Sequence, residues 1–235
     1  MENSWYIVGV DPSPSKDTVL CHGKGFFDRL PPQSLRSWFY ELLESYANVL
    51  IAWGSPLGFG SDNFYDRTID QAVRSWVAAR VEKGRIEEKA VTAGPFADLP
   101  GWALSCHALG HPFGTAPGNL RLVGRIHNGH CLVEVNPAVA LAVWWLDKKV
   151  DRPLKPYHNS QAEAAMIARE LGFPEAAGAD DDHLDAYAAF KLGELFVQGE
   201  ARWVGSAVFG GYVLPDCLES DAIESVLLAE KDKSL

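Results

Sequence analysis

The sequence predicts an α/β fold, a mixed β-sheet flanked by helices, on three observations. Apolar, β-rich runs at residues 5–10 and 48–53 each end in a Pro- or Gly-containing stop. Apolar residues recur at helical spacing from Leu35 to Tyr46. Short strands come first, and strands and helices alternate afterwards, which is the outline of a sheet covered by helices. With 235 residues, of which 47% are hydrophobic and 22% charged, a single domain spanning 1–235 is expected to bury one sizeable core.

Residues 5–10 (WYIVGV) form the first expected strand, stopped by Asp11-Pro12-Ser13-Pro14, so that Asp11 falls at its carboxyl tip. Residues 18–22 and 25–30 read as two more short strands, giving an N-terminal antiparallel meander. Pro31-Pro32 opens a helix carrying Leu35, Trp38, Phe39, Leu42, Leu43 and Tyr46. Residues 48–53 are continuously apolar, as expected of a strand buried on both faces, the fourth of the sheet. A helix is expected over 66–83, followed by a Gly/Pro-punctuated region to Asn119; residues of about 60–120 thus read as a helical and loop insertion after the fourth strand. Residues 121–126 and 131–135 read as strands around the turn His127-Asn128-Gly129. Helices follow at 137–146, at 160–171 ended by Gly172, and at 182–196, and an acidic tail occupies about 216–235.

Composition excludes several function classes. No run approaches 18 uninterrupted apolar residues, and the N-terminus shows no basic segment leading into an apolar stretch, so neither membrane spanning nor export is expected. Four cysteines without a CxxC pair fit free thiols, and a cytoplasmic location is the expectation. The net charge of −10 argues against loose electrostatic capture of nucleic acid. Part of that charge is local, in Asp180, Asp181, Asp182 and Asp185 and in the tail, whereas Arg67, Arg74, Arg80, Lys83, Arg85 and Lys89 form a basic stretch. Interleaved acids make that stretch read as a solvated mixed-charge helix before a phosphate-facing one.

Three acids occupy positions where an ionised carboxylate is expensive. Asp180 and Asp181 are explained by helix capping and the helix dipole. Asp185 is not, because 185, 189, 192 and 196 form one stripe whose other members are Ala189, Leu192 and Phe196, so its carboxylate is expected to face the core. Asp182 lies near the same face and heads a stripe of small residues, Ala186, Ala189 and Gly193, which would let the helix approach a sheet closely. Glu134 stands in an apolar strand on the face shared by Leu132 and Asn136; an edge strand with a solvated face accounts for it equally well. An Asx turn before Pro12 is the corresponding alternative for Asp11. Three apolar elements each carrying one acid point to a common site at the carboxyl edge of the sheet.

In order along the chain, Gly9-Val10-Asp11, IAWGSPLG at 51–58, Tyr65-Asp66-Arg67, Glu134-Val135-Asn136-Pro137 and Asp181-Asp182-His183-Leu184-Asp185-Ala186 resemble the RNase H-like nucleases of domain-of-unknown-function family 429. The last motif is also similar to the Asp-x-x-Asp helix of RuvC-type resolvases. The resemblance implies an RNase H-like sheet on which Asp11, Glu134, Asp182 and Asp185 bind Mg²⁺ or Mn²⁺ and catalyse phosphodiester hydrolysis of nucleic acid. A binding module that holds nucleic acid or a protein partner without cutting is the second expectation, because Gly54-Ser55-Pro56 stands where the family has Asp-x-Pro. Cys106, His107, His111, His127, His130 and Cys131 carry zinc-type atoms, but their spacing matches no familiar finger and loop or turn histidines are the simpler account. DNA and RNA remain equal candidates as substrate, and the sequence leaves open whether the chain forms a homodimer.

Overall fold

The structure, a computed structural model, describes residues 4–57, 67–91, 99–110, 120–206 and 210–233. Six strands, β1 (Tyr6–Asp11), β2 (Thr18–His22), β3 (Phe26–Leu30), β4 (Val49–Trp53), β5 (Arg121–Leu122) and β6 (His130–Glu134), form one mixed sheet in the order β3-β2-β1-β4-β6-β5. β1, β2 and β3 pair antiparallel as the expected meander, and β4 lies parallel to both β1 and β6. The α-helices among the described residues are α1 (Pro32–Ser45), α2 (Thr68–Glu82), α3 (Leu99–Leu109), α4 (Pro137–Asp147), α5 (Gln161–Leu171), α6 (Asp181–Gln198) and α7 (Leu218–Lys233). A separate hairpin consists of β7 (Ala201–Ser206) and β8 (Gly210–Pro215).

Alternation along the strands sorts the core into layers. Val8, Val10, Leu20, Ile51, Trp53 and Leu132 face α1 and α3, where Leu35, Phe39, Leu104 and Ala108 complete a buried cluster. Leu50, Ala52, Cys131 and Val133 point the other way, onto Ala189, Leu192 and Phe196 of α6. Behind α6, a third cluster packs α2, α4, α5 and α7 around Trp76, Trp145, Tyr157 and Leu184. Among the described residues no helix is long and apolar enough to cross a membrane.

The small stripe on α6 does what its composition anticipates. A Cβ added at Gly9 would overlap the Phe190 nitrogen and the Ala186 carbonyl oxygen, and one at Gly193 would stand 2.8 Å from Ile7 Cγ2. The helix therefore rests directly on β1, with its backbone in contact where the two elements cross.

Four expectations need correction or completion. β5 is only two residues long and pairs parallel to β6, so 121–135 is not a hairpin: Val123 and Ile126 turn inward to the cluster under the sheet and reverse the chain before β6 begins. The acidic tail is largely the helix α7, because Ile223 and Leu227, four apart, are buried against α2 and α4. β7 and β8 were not anticipated. In the region of about 60–120, α2 and α3 contribute to the core, whereas 58–66, 92–98 and 111–119 lie outside the described residues.

Candidate functional site

Asp11 ends β1, and because side chains alternate along a strand it lies on the face that Gly9 offers to α6, opposite Val10. The first turn of α6 is fixed by Asp180, whose carboxylate accepts the His183 N–H at 2.9 Å. Crossing β1 at Gly9, α6 brings its N-terminal turns over the carboxyl end of that strand. Asp185 consequently becomes buried, and Tyr157, from the irregular segment before α5, donates its hydroxyl hydrogen to Asp185 Oδ1 at 2.6 Å.

The electrostatics show the consequence. Burial pushes the Asp11 carboxyl well above its usual range, and the carboxylates of Asp185 and Asp182 push it further, with Lys16 opposing them. Burial likewise raises Asp185 to about 7, although the Tyr157 hydrogen bond pulls it down; Asp181 and Asp182 add to the rise. Tyr157 is itself raised well above the usual phenol range by burial and by Asp185. Both carboxyls are thus held above the usual range, which favours the neutral form of each over the carboxylate.

Asp182 has a different environment. Lys16 Nζ donates to both of its oxygens, at 2.5 and 2.7 Å, and Arg29 Nη1 lies 3.7 Å from Oδ2. Desolvation lowers the Lys16 ammonium, but the Asp182 hydrogen bond and charge more than offset this, so its pKa is raised overall. The lysine is positioned by a short turn in which the Ser13 N–H donates to Thr18 Oγ1 at 3.1 Å and the Lys16 N–H to Ser13 Oγ at 3.2 Å. Asp180 pairs with Arg29 at 2.5 Å, and Asp181 accepts the Asn159 N–H at 3.1 Å, so both have structural partners.

The structure does not bring Glu134 to this group. Glu134 is in register with Trp53 and Val10, the row that faces α1, whereas Asp11 belongs to the opposite face. Its Oε1 accepts from Arg67 Nη1 at 2.7 Å and its Oε2 from the Leu57 N–H at 2.8 Å. Arg67, fully buried, also donates to Asp70 and to the Tyr212 hydroxyl, and Tyr212 donates to Asp70. Burial raises the Glu134 carboxyl, and Arg67 opposes that rise most strongly. The anomaly of an acid in an apolar strand is therefore accounted for by a buried ion-pair network tying β6 to α2 and β8.

Gly54 has a steric reason to lack a side chain. A Cβ there would stand 2.7 Å from the Val10 carbonyl oxygen and 3.3 Å from Pro137 Cγ. An aspartate at this position would need the ends of β1 and α4 to move apart.

No protein-family model, characterised protein or solved structure matches the chain. The site is therefore read from its own geometry.

Asp11, Asp182 and Asp185 offer oxygen donors alone, the set that suits hard cations such as Mg²⁺ or Mn²⁺. Among the described residues, however, no three His, Cys, Asp or Glu side chains gather closely enough to hold a metal ion, and Asp182 is bound to Lys16. Among the described residues the zinc-type side chains come together only as a pair: Cys131 Sγ is 3.8 Å from His127 Nε2, Cys106 and His107 lie on α3, and His111 lies outside the described residues. Sequence reasoning missed Tyr157, Lys16 and Arg67 as the partners of Asp185, Asp182 and Glu134. Asp185 and Glu134 carried a signal because each sits in an otherwise apolar pattern, whereas a Tyr or Lys in a loop does not stand out.

Proposed function

We propose that the chain is a divalent-metal-dependent nuclease with an RNase H-like fold, hydrolysing phosphodiester bonds of nucleic acid. The observation that carries this reading is that Asp11, at the tip of β1, lies near enough to Asp185 and Asp182, on the first turns of α6, for their charges to raise its carboxyl, although the three are not gathered as a metal-holding group among the described residues. Support for the fold comes from the antiparallel β3-β2-β1 meander continued by parallel β4 and β6, with α6 seated on β1. Asp11 and Asp185 would hold Mg²⁺ or Mn²⁺, with Asp182 as the third ligand once released from Lys16. When bound, such an ion supplies activation of water and charge stabilisation at the phosphate.

The protein's own residues perform the remaining tasks. Tyr157 fixes the Asp185 carboxylate through one oxygen and leaves the other available. Lys16 compensates the acidic cluster through its pair with Asp182. Glu134 is not included among the ligands, because Arg67 and the Leu57 N–H occupy both of its oxygens.

A second reading, a module that binds nucleic acid or a protein partner without cutting, is favoured by two specific observations. Gly54 has no room for the further acid that the resemblance leads one to expect, and Lys16 already neutralises Asp182. The two readings separate in a cleavage assay on single-stranded, duplex, hybrid and branched substrates with Mg²⁺ or Mn²⁺. A nuclease cuts at least one of them, is silenced by EDTA and is lost in Asp185→Asn; cleavage that resists EDTA excludes the mechanism. Inertness on all four substrates selects the binding module.

A further inference from the structure

A second charged feature lies away from the carboxylates, at the carboxyl ends of α2 and α4. A cavity of about 290 Å³ is lined by Arg80, Lys83, Arg85, Leu146, Lys149 and Glu219. Glu219 is already committed to Arg80, accepting from its Nη2 at 2.7 Å and from Trp76 Nε1 at 3.1 Å, while the Arg80 guanidinium lies over the Trp76 ring. Among the described residues Lys83, Arg85 and Lys149 make no ion pair. Three uncompensated cations therefore share one concavity on a protein of net charge −10.

The backbone holds them there. The Arg85 N–H donates to the Arg80 carbonyl at 2.8 Å around the turn at Gly84, and the Arg85 carbonyl accepts the Leu154 N–H at 3.1 Å. Lys149 closes α4 with φ of 53°, the left-handed conformation in which glycine is relaxed and lysine is strained by about 1 kcal/mol. Its N–H is bound to the Leu146 carbonyl at 3.0 Å. Attraction to helix carboxyl ends accounts for single cations at these places but not for their gathering around one cavity, nor for a lysine held where glycine would be easier.

We propose that this cavity is an anion-binding site for phosphate groups, with Lys83, Arg85 and Lys149 as its ligating side chains and Arg80 as a fixed wall. Two sources can supply that chemistry, a free phosphorylated compound or the backbone of a polynucleotide. α4 spans about 16 Å between Pro137, beside Gly54, and this cavity, so a bound polynucleotide reaching the carboxylates could also engage it. The site does not depend on the carboxylate reading, and its occupancy is measurable whether or not the protein cuts.

The test uses the full chain and calorimetric titration with inorganic pyrophosphate, with NaCl matched for ionic strength, followed by anisotropy of a labelled 20-nucleotide DNA or RNA. The variants are Lys149→Gly, which removes a cation while relieving the backbone, and Lys83→Gln. Pyrophosphate binding weakened tenfold or more in each variant, with Lys149→Gly at least as thermostable as the wild type, supports the site. If the oligonucleotide also binds and its salt dependence flattens by about 0.9 per lost contact on duplex DNA, or about 0.7 on a single strand, the source is a polynucleotide. Pyrophosphate binding without oligonucleotide binding assigns a small phosphorylated ligand. Failure of the wild type to bind either probe above the salt control, or equal binding by the variants, overturns the proposal.

Discussion

Replacing Asp185 by Asn isolates the cost of the buried carboxylate pair. Asparagine keeps the shape and can still accept the Tyr157 hydrogen bond through its amide oxygen. In the folded protein Asp185 titrates at about 7, against about 3.9 for an unperturbed aspartate. Between those values the native state holds a proton that the unfolded chain has released, so stability falls as pH rises across the window and is level above it. The difference corresponds to about 4 kcal/mol at most. At pH 8 without metal, Asp185→Asn should therefore be more stable than the wild type by about 2–4 kcal/mol, which for a chain of this size raises Tm by roughly 4–16 °C. At pH 4.5 the two should be nearly equal. Urea denaturation from pH 4.5 to 8.5 reads both limbs. Wild-type stability that rises from pH 5 to 7, or a variant less stable than the wild type at pH 8, would refute the reasoning and return Asp185 to the role of an ordinary structural acid.

The remaining predictions concern the supports of the site. Glu134→Gln removes one of the two carboxylates paired with the buried Arg67, which keeps Asp70, and should cost about 1–3 kcal/mol in urea denaturation, with the thermal response to Mn²⁺ unchanged; loss of that response would put Glu134 back among the ligands. Gly9→Ala drives a methyl group into the α6 backbone and should cost at least about 3 kcal/mol, because a helix rather than a side-chain end must move; a neutral result would contradict the packing of α6 on β1. Tyr157→Phe should raise the Asp185 pKa above 7, visible by carboxyl NMR, since the Tyr157 hydrogen bond is what lowers it.

What the sequence made legible was whatever periodicity could express. Asp185 announced itself because its stripe is otherwise Ala189, Leu192 and Phe196, and Gly193 and Ala186 on the same helix signalled close approach to a sheet. The meander and α1 followed from alternation and helical spacing in short segments. Pairings between distant segments were not legible. Arg67 and Glu134 are 67 positions apart, and nothing local distinguishes a core ion pair from a catalytic acid. Tyr157 depends on an irregular segment held by the bridge between Ile86 and Leu154 and by the Trp145 indole N–H donating to the Arg152 carbonyl. The apparent hairpin at 121–135 misled because His127-Asn128-Gly129 has turn chemistry, while the burial of Val123 and Ile126 leaves β5 only two residues. β7 and β8 escaped notice because Gly205, Gly210 and Gly211 resemble loop composition. Yet at Gly211 a Cβ would stand 2.6 Å from the Trp203 ring, so glycine there serves close packing.

The most direct test of the central claim is a Mn²⁺-soaked crystal structure with an anomalous difference map at neutral pH or above. The account predicts an anomalous peak between the carboxylates of Asp11 and Asp185, with Asp182 turned from Lys16 towards it, and no peak in Asp185→Asn. Manganese absent from this position at millimolar concentration, with Asp182 still bound to Lys16, would contradict it.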